Sequence, residues 1–324
     1  MYETFIYFFW NFFNYIQVMK FLIGHSSALE YWKLHDRGID QGMSRAKHYF
    51  AKPSLATASL FENAEVSHLE RPVHFVASHL ETKPETLAYV CHGSKRSFTE
   101  KSALRIGKNL YVSTPEECFL QLASSFSLAQ LIQAGFELCG SYAIRDNRLL
   151  VREPRMTVLS LNAYLTRIDT CYGIHKARIA AQHLLDDSAS PMETALSMLL
   201  CLPTSMGGYG LPKPHLNYPI APEGKLYRCD LCWPDKNLAL EYDSDQYHSS
   251  FEKLHADSTR RIQIEASRIH VISVSKRQLF DVGAFDQLAR AIAPYFGKRL
   301  RIRVRDFPTK RDQLRSGILF DHKL

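Results

Sequence analysis

The chain has 324 residues, a formal net charge of +7 at pH 7 and a hydrophobic content of 46%. This length predicts two domains, and the apolar content is that of an ordinary globular protein, which excludes a chain too polar to build a core. The positive balance is compatible with a polyanionic partner. A mildly basic protein without such a partner is the alternative.

Seven cysteines are scattered along the chain without a secretory context. This usage predicts a reduced, cytoplasmic environment. Cys229 and Cys232 form a CxxC pair with no second pair after it. Positions i and i+3 of a strand point to opposite faces, which suits chelation badly, so we interpret both residues as core packing.

Residues 1–18 form a hydrophobic extension that contains FIYFFWNFFNYIQV and is interrupted by Asn11, Asn14 and Gln17. No basic region precedes it and no small-residue cleavage site follows, so it does not resemble a signal peptide. It is shorter than the roughly 20 apolar residues that span a bilayer. A start placed too early explains it, with an interfacial anchor as the alternative, and no membrane partner is expected.

Residues 19–152 predict an α+β domain. Ser27 to Glu30 spells a capping box that would open a helix, and Thr114 to Glu117 spells a second helix start with proline at the first helical position. Residues 72–77 and 86–91 have the composition of short strands.

This part of the chain shows no Gly-rich phosphate loop and no metal-ligand spacing, so no small-molecule cofactor is expected there. Its histidines have no repeated spacing, and we interpret them as packed or solvated residues: His25, His35, His48, His68, His74, His79 and His92.

Residues 153–189 have apolar residues at helical spacing and predict a helical connector with a basic, solvated face; a contact with the DNA backbone is the alternative. From residue 190 the pattern predicts helix, three strands, helix, strand and helix. The helix before the fourth strand is long enough to be a crossover, which favours a mixed sheet flanked by helices.

The stretch LYRCDLCWPDKNLALEYD predicts two strands joined by a turn at Pro234 to Asn237. Trp233 would then pair with Leu238, and continuing outward places Asp230 opposite Glu241. Two like charges directly opposite each other on paired strands are destabilising. A shared divalent cation would make the pair favourable, because Mg²⁺ is held by one or two carboxylates together with substrate phosphates.

The strings SPMET, RCDLCWP, LALEYDSDQYH and DSTRR, followed by RIHVISVS, extend this pattern over residues 190–296. In this order they resemble the PD-(D/E)XK nuclease superfamily, and more closely its very-short-patch-repair-like branch, a widespread bacterial domain. The resemblance implies an α/β, restriction-endonuclease-like fold for this domain. It also implies Mg²⁺-dependent cleavage of DNA, with Mn²⁺ as a possible substitute.

Carried over to this chain, the resemblance implies that Asp230 and Glu241 bind the metal, together with the backbone carbonyl of Tyr242. Glu193 would reach the metal or its water, although a capping box with Ser190 also explains a glutamate at that position. The superfamily lysine is expected two residues after Glu241. Asp243 occupies that position, as the branch itself leads us to expect, and a cross-strand ion pair with Arg228 is its structural alternative.

His248 follows the strand at a place where a proton-transfer residue would reach the site. An exposed histidine after a turn is the alternative. The resemblance implies that Arg260 points toward the sheet and contacts nucleic acid. A helix-surface ion pair with Asp257 is the alternative explanation for an arginine at this position. Lys253 is a further candidate for the missing lysine.

Residues 297–324 form a basic tail in which arginines alternate with Leu300, Ile302 and Val304. As a strand, this segment would present one arginine face that grips phosphates, or protects a sheet edge by its charge. The arginines are Arg299, Arg301, Arg303 and Arg305.

IGHSSALEYW and STPEECFLQLA give the N-terminal half a weaker resemblance to antitoxins of type IV toxin–antitoxin abortive-infection systems. It implies a DNA-binding regulator, with a toxin or another protein as a partner. The sequence therefore predicts a metal-dependent DNA endonuclease or nickase. A non-catalytic DNA-binding regulator that retains a silent nuclease fold is the alternative.

Overall fold

A computed structural model of the chain describes residues 20–36, 50–51, 60–78, 85–99, 101–222, 225–243, 263 and 266–319. The chain divides into two compact units of mixed α/β structure. Met1–Ala134 and Arg155–Gln182 form the first unit, and Gly135–Pro154 and His183–Leu324 form the second.

The first unit is built on a five-stranded mixed sheet with the order β3-β2-β1-β5-β4. β1 is parallel to β5 and antiparallel to β2, while β2 is parallel to β3. The strands are β1 (Phe21–Ile23), β2 (Val73–Ser78), β3 (Tyr89–Ser94), β4 (Ala103–Gly107) and β5 (Leu110–Ser113).

The α-helices described up to residue 182 are α1 (His25–Leu34), α2 (Ala64–Ser67), α3 (Pro115–Leu122), α4 (Leu128–Cys139), α5 (Val158–Thr166) and α6 (Ile174–Ala181). The side chain of Thr114 caps α3 by accepting from the backbone N–H of Glu117, as predicted. The predicted start of α1 is wrong. This helix begins at His25, and Ser27 Oγ instead accepts a hydrogen bond from the backbone N–H of His74.

The second unit contains a four-stranded mixed sheet with the order β11-β10-β9-β8 and the hairpin β6-β7. β8, β9 and β10 are antiparallel neighbours, and β10 is parallel to β11. The strands are β6 (Tyr142–Arg145), β7 (Arg148–Val151), β8 (His215–Ile220), β9 (Tyr227–Trp233), β10 (Leu238–Asp243) and β11 (His270–Ser275). The helices are α7 (Pro191–Cys201), α8 (Lys276–Phe280), α9 (Val282–Ile292) and α10 (Phe307–Leu319).

A mixed sheet flanked by helices is therefore confirmed, and so is the hairpin register. Trp233 pairs with Leu238, and Leu231 pairs with Leu240. The central residues of these strands form an apolar core that includes Cys229 and Cys232, both fully buried.

The strand predicted for the arginines of the basic tail is wrong. Residues 298–304 lie in no strand, although the four arginines are exposed and the apolar residues between them are half-buried. Alternation alone does not make a strand, because a strand also needs a neighbour to hydrogen-bond. Within the tail, Phe307–Leu319 form α10, which the sequence did not predict.

The hydrophobic extension of residues 1–18 and the predicted crossover helix, apart from residues 263, 266 and 267, lie outside the described residues. Within the described ranges, no helix is both long and apolar enough to cross a membrane.

Candidate functional site

The hydrogen-bonded pairs of β9 and β10 extend from Trp233–Leu238 to Leu231–Leu240. One residue further on, Asp230 Oδ2 accepts a hydrogen bond of 2.8 Å from the backbone N–H of Tyr242. A carboxylate oxygen therefore takes over the acceptor role that a backbone carbonyl fills in a regular ladder. This contact holds the Asp230 side chain beside the residues that follow Leu240 on β10.

Glu193 enters the site from the first turn of α7, with its side chain 6% exposed. Its backbone N–H donates to Ser190 Oγ at 3.1 Å, which is the expected helix cap. The carboxylate does not complete a capping box. Its Oε2 atom accepts instead from the backbone N–H of Ala189 at 2.9 Å and from Asn217 Nδ2 at 2.6 Å.

Asn217 is a site residue that the sequence analysis missed. It lies in β8 between Leu216, which pairs with Leu231, and Tyr218, which pairs with Cys229, so the register places it opposite Asp230. Its φ of 47° is a left-handed conformation that asparagine adopts more readily than most residues. No sequence signal marked this position, because an asparagine inside a strand pattern does not reveal which acid it will contact.

The Glu193 carboxyl is buried and lies within electrostatic range of Asp230. Burial is the main cause that raises the pKa of the Glu193 carboxyl to about 7, and the charge of Asp230 adds to it. Hydrogen bonds from Ala189, Ser190 and Asn217 oppose the shift. The Glu193 carboxyl is therefore partly protonated near neutral pH.

Glu241 and Asp243 lie in β10, where they pair with Ser273 and Ser275 of β11, and both are half-buried. They point to the same face of the strand because they are two residues apart. Burial, together with the charge of Asp243, raises the pKa of the intervening Tyr242 phenol. Arg228 donates to the carbonyl oxygen of Asn217 at 3.2 Å.

The described residues contain no group of three or more histidine, cysteine, aspartate or glutamate side chains placed to hold a metal ion. The residues present nevertheless fit Mg²⁺ in donor type. Mg²⁺ prefers oxygen ligands and is commonly held by one or two carboxylates, with water and phosphate oxygens completing its shell. Asp230 and Glu241 supply such oxygens at the end of the hairpin ladder.

The remaining predicted residues fall into two groups. The arginines of the tail are exposed, in a segment outside helices and strands. His248, Lys253, Asp257 and Arg260 lie outside the described residues.

Comparison with known proteins gives two relatives, both uncharacterized proteins of Mycobacterium tuberculosis, from the strains CDC 1551 / Oshkosh and H37Rv. Each is 35% identical to this chain over 88 residues, which cover 27% of this chain and 32% of the relative. The match thus spans about a third of the length of these relatives. No family model and no solved structure matches the chain.

Proposed function

We propose that this protein is a metal-dependent endonuclease or nickase that hydrolyses phosphodiester bonds in DNA, with a restriction-endonuclease-like second unit. The observation that carries the proposal is the convergence of Asp230 and Glu193. Asp230 lies at the end of the hairpin ladder, and Glu193 at the start of α7 is buried with a raised pKa. Such a pair of neighbouring carboxylates is costly for stability and is typical of an active site.

In this proposal Asp230 and Glu241 hold Mg²⁺, together with the backbone carbonyl of Tyr242, and Mn²⁺ can replace it. The metal ion would supply charge stabilisation at the phosphoryl oxygens and lower the pKa of a bound water. The hydrogen bond from Tyr242 N–H fixes the Asp230 carboxylate before any ligand binds. Because this carboxylate is already held in place, it does not have to be ordered during the reaction.

Glu193 is placed to accept the proton of the attacking water. Its pKa of about 7 means that a substantial fraction is ionised at neutral pH while the group remains basic enough to take a proton. Asn217 and Ala189 hold its Oε2 atom, so the orientation of the carboxylate is fixed by the fold.

DNA is the proposed substrate because the chain is basic and because four exposed arginines follow one another at alternate positions, Arg299, Arg301, Arg303 and Arg305. Exposed arginines on a common segment are suited to phosphate contacts, which position a protein on DNA without reading its sequence. A cytoplasmic location belongs to this proposal and is supported by seven free thiols.

Plasmid nicking tests the proposal. The wild-type protein should nick supercoiled DNA with Mg²⁺ or Mn²⁺ and stop when EDTA is added, whereas Asp230→Ala and Glu241→Ala should be inactive. Asp235→Ala, which removes an exposed acid from the hairpin turn, is the matched control and should retain activity. Equal nicking by all variants, or none by any protein with either metal, would contradict the proposal.

A second candidate is a DNA-binding regulator with a silent nuclease fold and a toxin or another protein as its partner. It is favoured by Asp243, which stands where the superfamily lysine would neutralise negative charge in the transition state. Under this alternative, DNA binding would persist in Asp230→Ala and Glu241→Ala, and no metal would produce nicking.

A further inference from the structure

The first unit contains a cleft of about 870 Å³ that the endonuclease proposal does not use. It is lined by His25 at the start of α1, by the segment from His92 to Arg96 at the end of β3, and by Glu117 and Gln121 of α3, and Tyr172 contributes an aromatic wall. Sites for small molecules typically measure roughly 300–1,000 Å³ and combine a few converging polar groups with apolar walls. The size of this cleft therefore suits a ligand of nucleotide size.

A buried hydrogen-bond network fixes two walls of the cleft. Glu117 is 1% exposed, and its carboxylate accepts from Arg96 Nη1 at 3.1 Å, from Gln121 Nε2 at 3.0 Å and from the hydroxyl of Tyr164. Gln121 Oε1 in turn accepts from the backbone N–H of His25 at 2.9 Å. Arg96 and His25 are thus held in place by one connected set of partners, and such networks rigidify a site.

Three imidazoles meet beside the cleft. His74 Nδ1 and His92 Nε2 are 2.9 Å apart, and the ring of His25 stacks on that of His92 with centroids 3.6 Å apart. The sequence analysis had interpreted all three as packed or solvated histidines without a shared spacing. His25 and His92 line the cleft, and an imidazole carries at least one N–H donor in either tautomer.

Gly24 allows His25 to take this position. A Cβ atom at Gly24 would lie 2.4 Å from Val76 Cγ2 and 2.7 Å from Gln121 Oε1, so any other residue there would force these side chains to move. Gly24 therefore allows His25 to lie against Gln121 and the hydrogen-bond network around Glu117.

Among the described residues that line the cleft, Glu117 is the single carboxylate, and it is already paired with Arg96 at 3.0 Å. The exposed Lys95 therefore gives the described lining of the cleft a surplus of positive charge. Tyr172 is 83% exposed, so most of its ring is available to a ligand.

We propose that this cleft binds a nucleoside phosphate. The phosphate would contact Lys95, Arg96 and the imidazoles, because a multiply charged group with several acceptor oxygens matches several converging donors. The nucleoside base would stack on Tyr172, since every base offers a π-face to an aromatic side chain. The arrangement is less suited to a metal ion, because His74 and His92 direct nitrogens at each other and the described residues form no metal-holding group.

Calorimetric titration of the full chain in EDTA tests this site independently of the endonuclease proposal, since metal ions are then absent. The probes are adenosine monophosphate, guanosine monophosphate, adenosine, inorganic phosphate and a short single-stranded DNA without a terminal phosphate. We expect the monophosphates to bind at least about tenfold more tightly than adenosine or phosphate alone, because only they engage both the charged groups and the aromatic wall.

Two variants separate the two parts of the ligand. Lys95→Ala should weaken monophosphate and inorganic phosphate alike by about tenfold, because a hydrogen bond to a charged group is lost. Tyr172→Ala should weaken the monophosphates and leave inorganic phosphate unchanged. Both side chains are exposed, so the variants should fold. Unfolding curves of the two variants test this expectation.

Lys108→Ala is the matched control, because it removes an exposed lysine in the turn between β4 and β5, outside the cleft. It should bind like the wild type. The proposal is overturned if no monophosphate binds, if adenosine or the unphosphorylated DNA binds as tightly as adenosine monophosphate, if Lys108→Ala weakens binding as much as Lys95→Ala, or if neither cleft variant changes the affinity.

Discussion

The side-chain amide of Asn217 donates a hydrogen bond of 2.6 Å to Oε2 of Glu193. The same nitrogen donates to the carbonyl oxygen of Asp187 at 2.7 Å, so the amide joins β8 to the segment before α7. Asn217 also lies opposite Asp230 in the register of β8 and β9, so it is a neighbour of both acids. A residue without acid–base chemistry therefore positions the candidate site.

Substitutions at Asn217 should separate its two contributions. Asn217→Ala removes both hydrogen bonds and places a Cβ-bearing residue without a polar side chain at a φ of 47°, so we expect a loss of about 2–3 kcal/mol in the free energy of unfolding. Asn217→Gly keeps the backbone conformation accessible and should lose about 1 kcal/mol less. Urea denaturation of the metal-free proteins measures both values.

Asn237 provides a control for the backbone effect, because it has a φ of 50° in the hairpin turn. Asn237→Gly should change stability by only a few tenths of a kcal/mol. Equal losses for Asn217→Gly and Asn237→Gly would show that the amide of Asn217 does not stabilise the site.

The hairpin and its register were predictable because the information is local. The turn cluster at Pro234 to Asn237 sets the pairing of Trp233 with Leu238, and alternation carries the register to Leu240. The cap of α7 at Ser190 and the strand β8 were predictable for the same reason. These elements place Glu193, Asp230 and Glu241 in the second unit, although not their side-chain contacts.

Contacts between distant residues were not predictable. Asn217 contacts Glu193 across 24 positions of the chain, and His74 contacts His92 across 18, so no spacing rule relates the partners. The strand prediction for the arginine tail was wrong for a similar reason. The alternation from Arg299 to Arg305 is compatible with a strand, but it does not show whether a neighbouring strand is present to pair with it. The endonuclease activity and its metal stay predictions.

Glu193 should make stability depend on pH. Burial, followed by the charge of Asp230, raises its pKa from 4.5 to about 7. Between these values the folded protein keeps a proton that the unfolded chain has released, so the free energy of unfolding falls as the pH rises through this window. Glu193→Gln removes this cost and should be more stable than the wild type above pH 7, by at most about 3 kcal/mol, and similar to it below pH 4.5.

The measurement is chemical denaturation in EDTA at pH 4 to 8, which keeps metal ions from changing the titration. Glu153→Gln removes an exposed negative charge from the same unit and controls for net charge. If Glu193→Gln gains no stability over the wild type between pH 4.5 and 8, the burial of Glu193 near Asp230 does not have the proposed energetic effect.

Metal binding should stabilise the folded protein through the hairpin acids. At a Mn²⁺ concentration of about 100 times the Kd, a single site would raise the free energy of unfolding by about 2.7 kcal/mol. Asp230→Asn and Glu241→Gln should lose most of this gain. Asp230→Asn keeps an oxygen that can accept from Tyr242 N–H, so its fold should persist without metal.

Asp235→Asn is the control for the metal effect, since Asp235 is exposed in the turn of the same hairpin. It should retain the full stabilisation by Mn²⁺. A gain in stability that is equal in Asp230→Asn and in the wild type would place any metal site elsewhere in the chain.

Arg301 and Arg303 should contribute to DNA affinity through phosphate contacts and not through base recognition. Each phosphate contact releases counterions, so the double variant Arg301→Ala/Arg303→Ala should reduce the slope of log K against log salt by about 1.8 and weaken binding to all sequences alike. Fluorescence anisotropy with two unrelated duplexes over a series of salt concentrations measures both effects. Arg277→Ala/Arg290→Ala removes two exposed arginines of the same unit from α8 and α9, and it should leave the slope nearly unchanged. Equal slopes for the two double variants would mean that net charge, and not the arginine segment, governs the interaction with DNA.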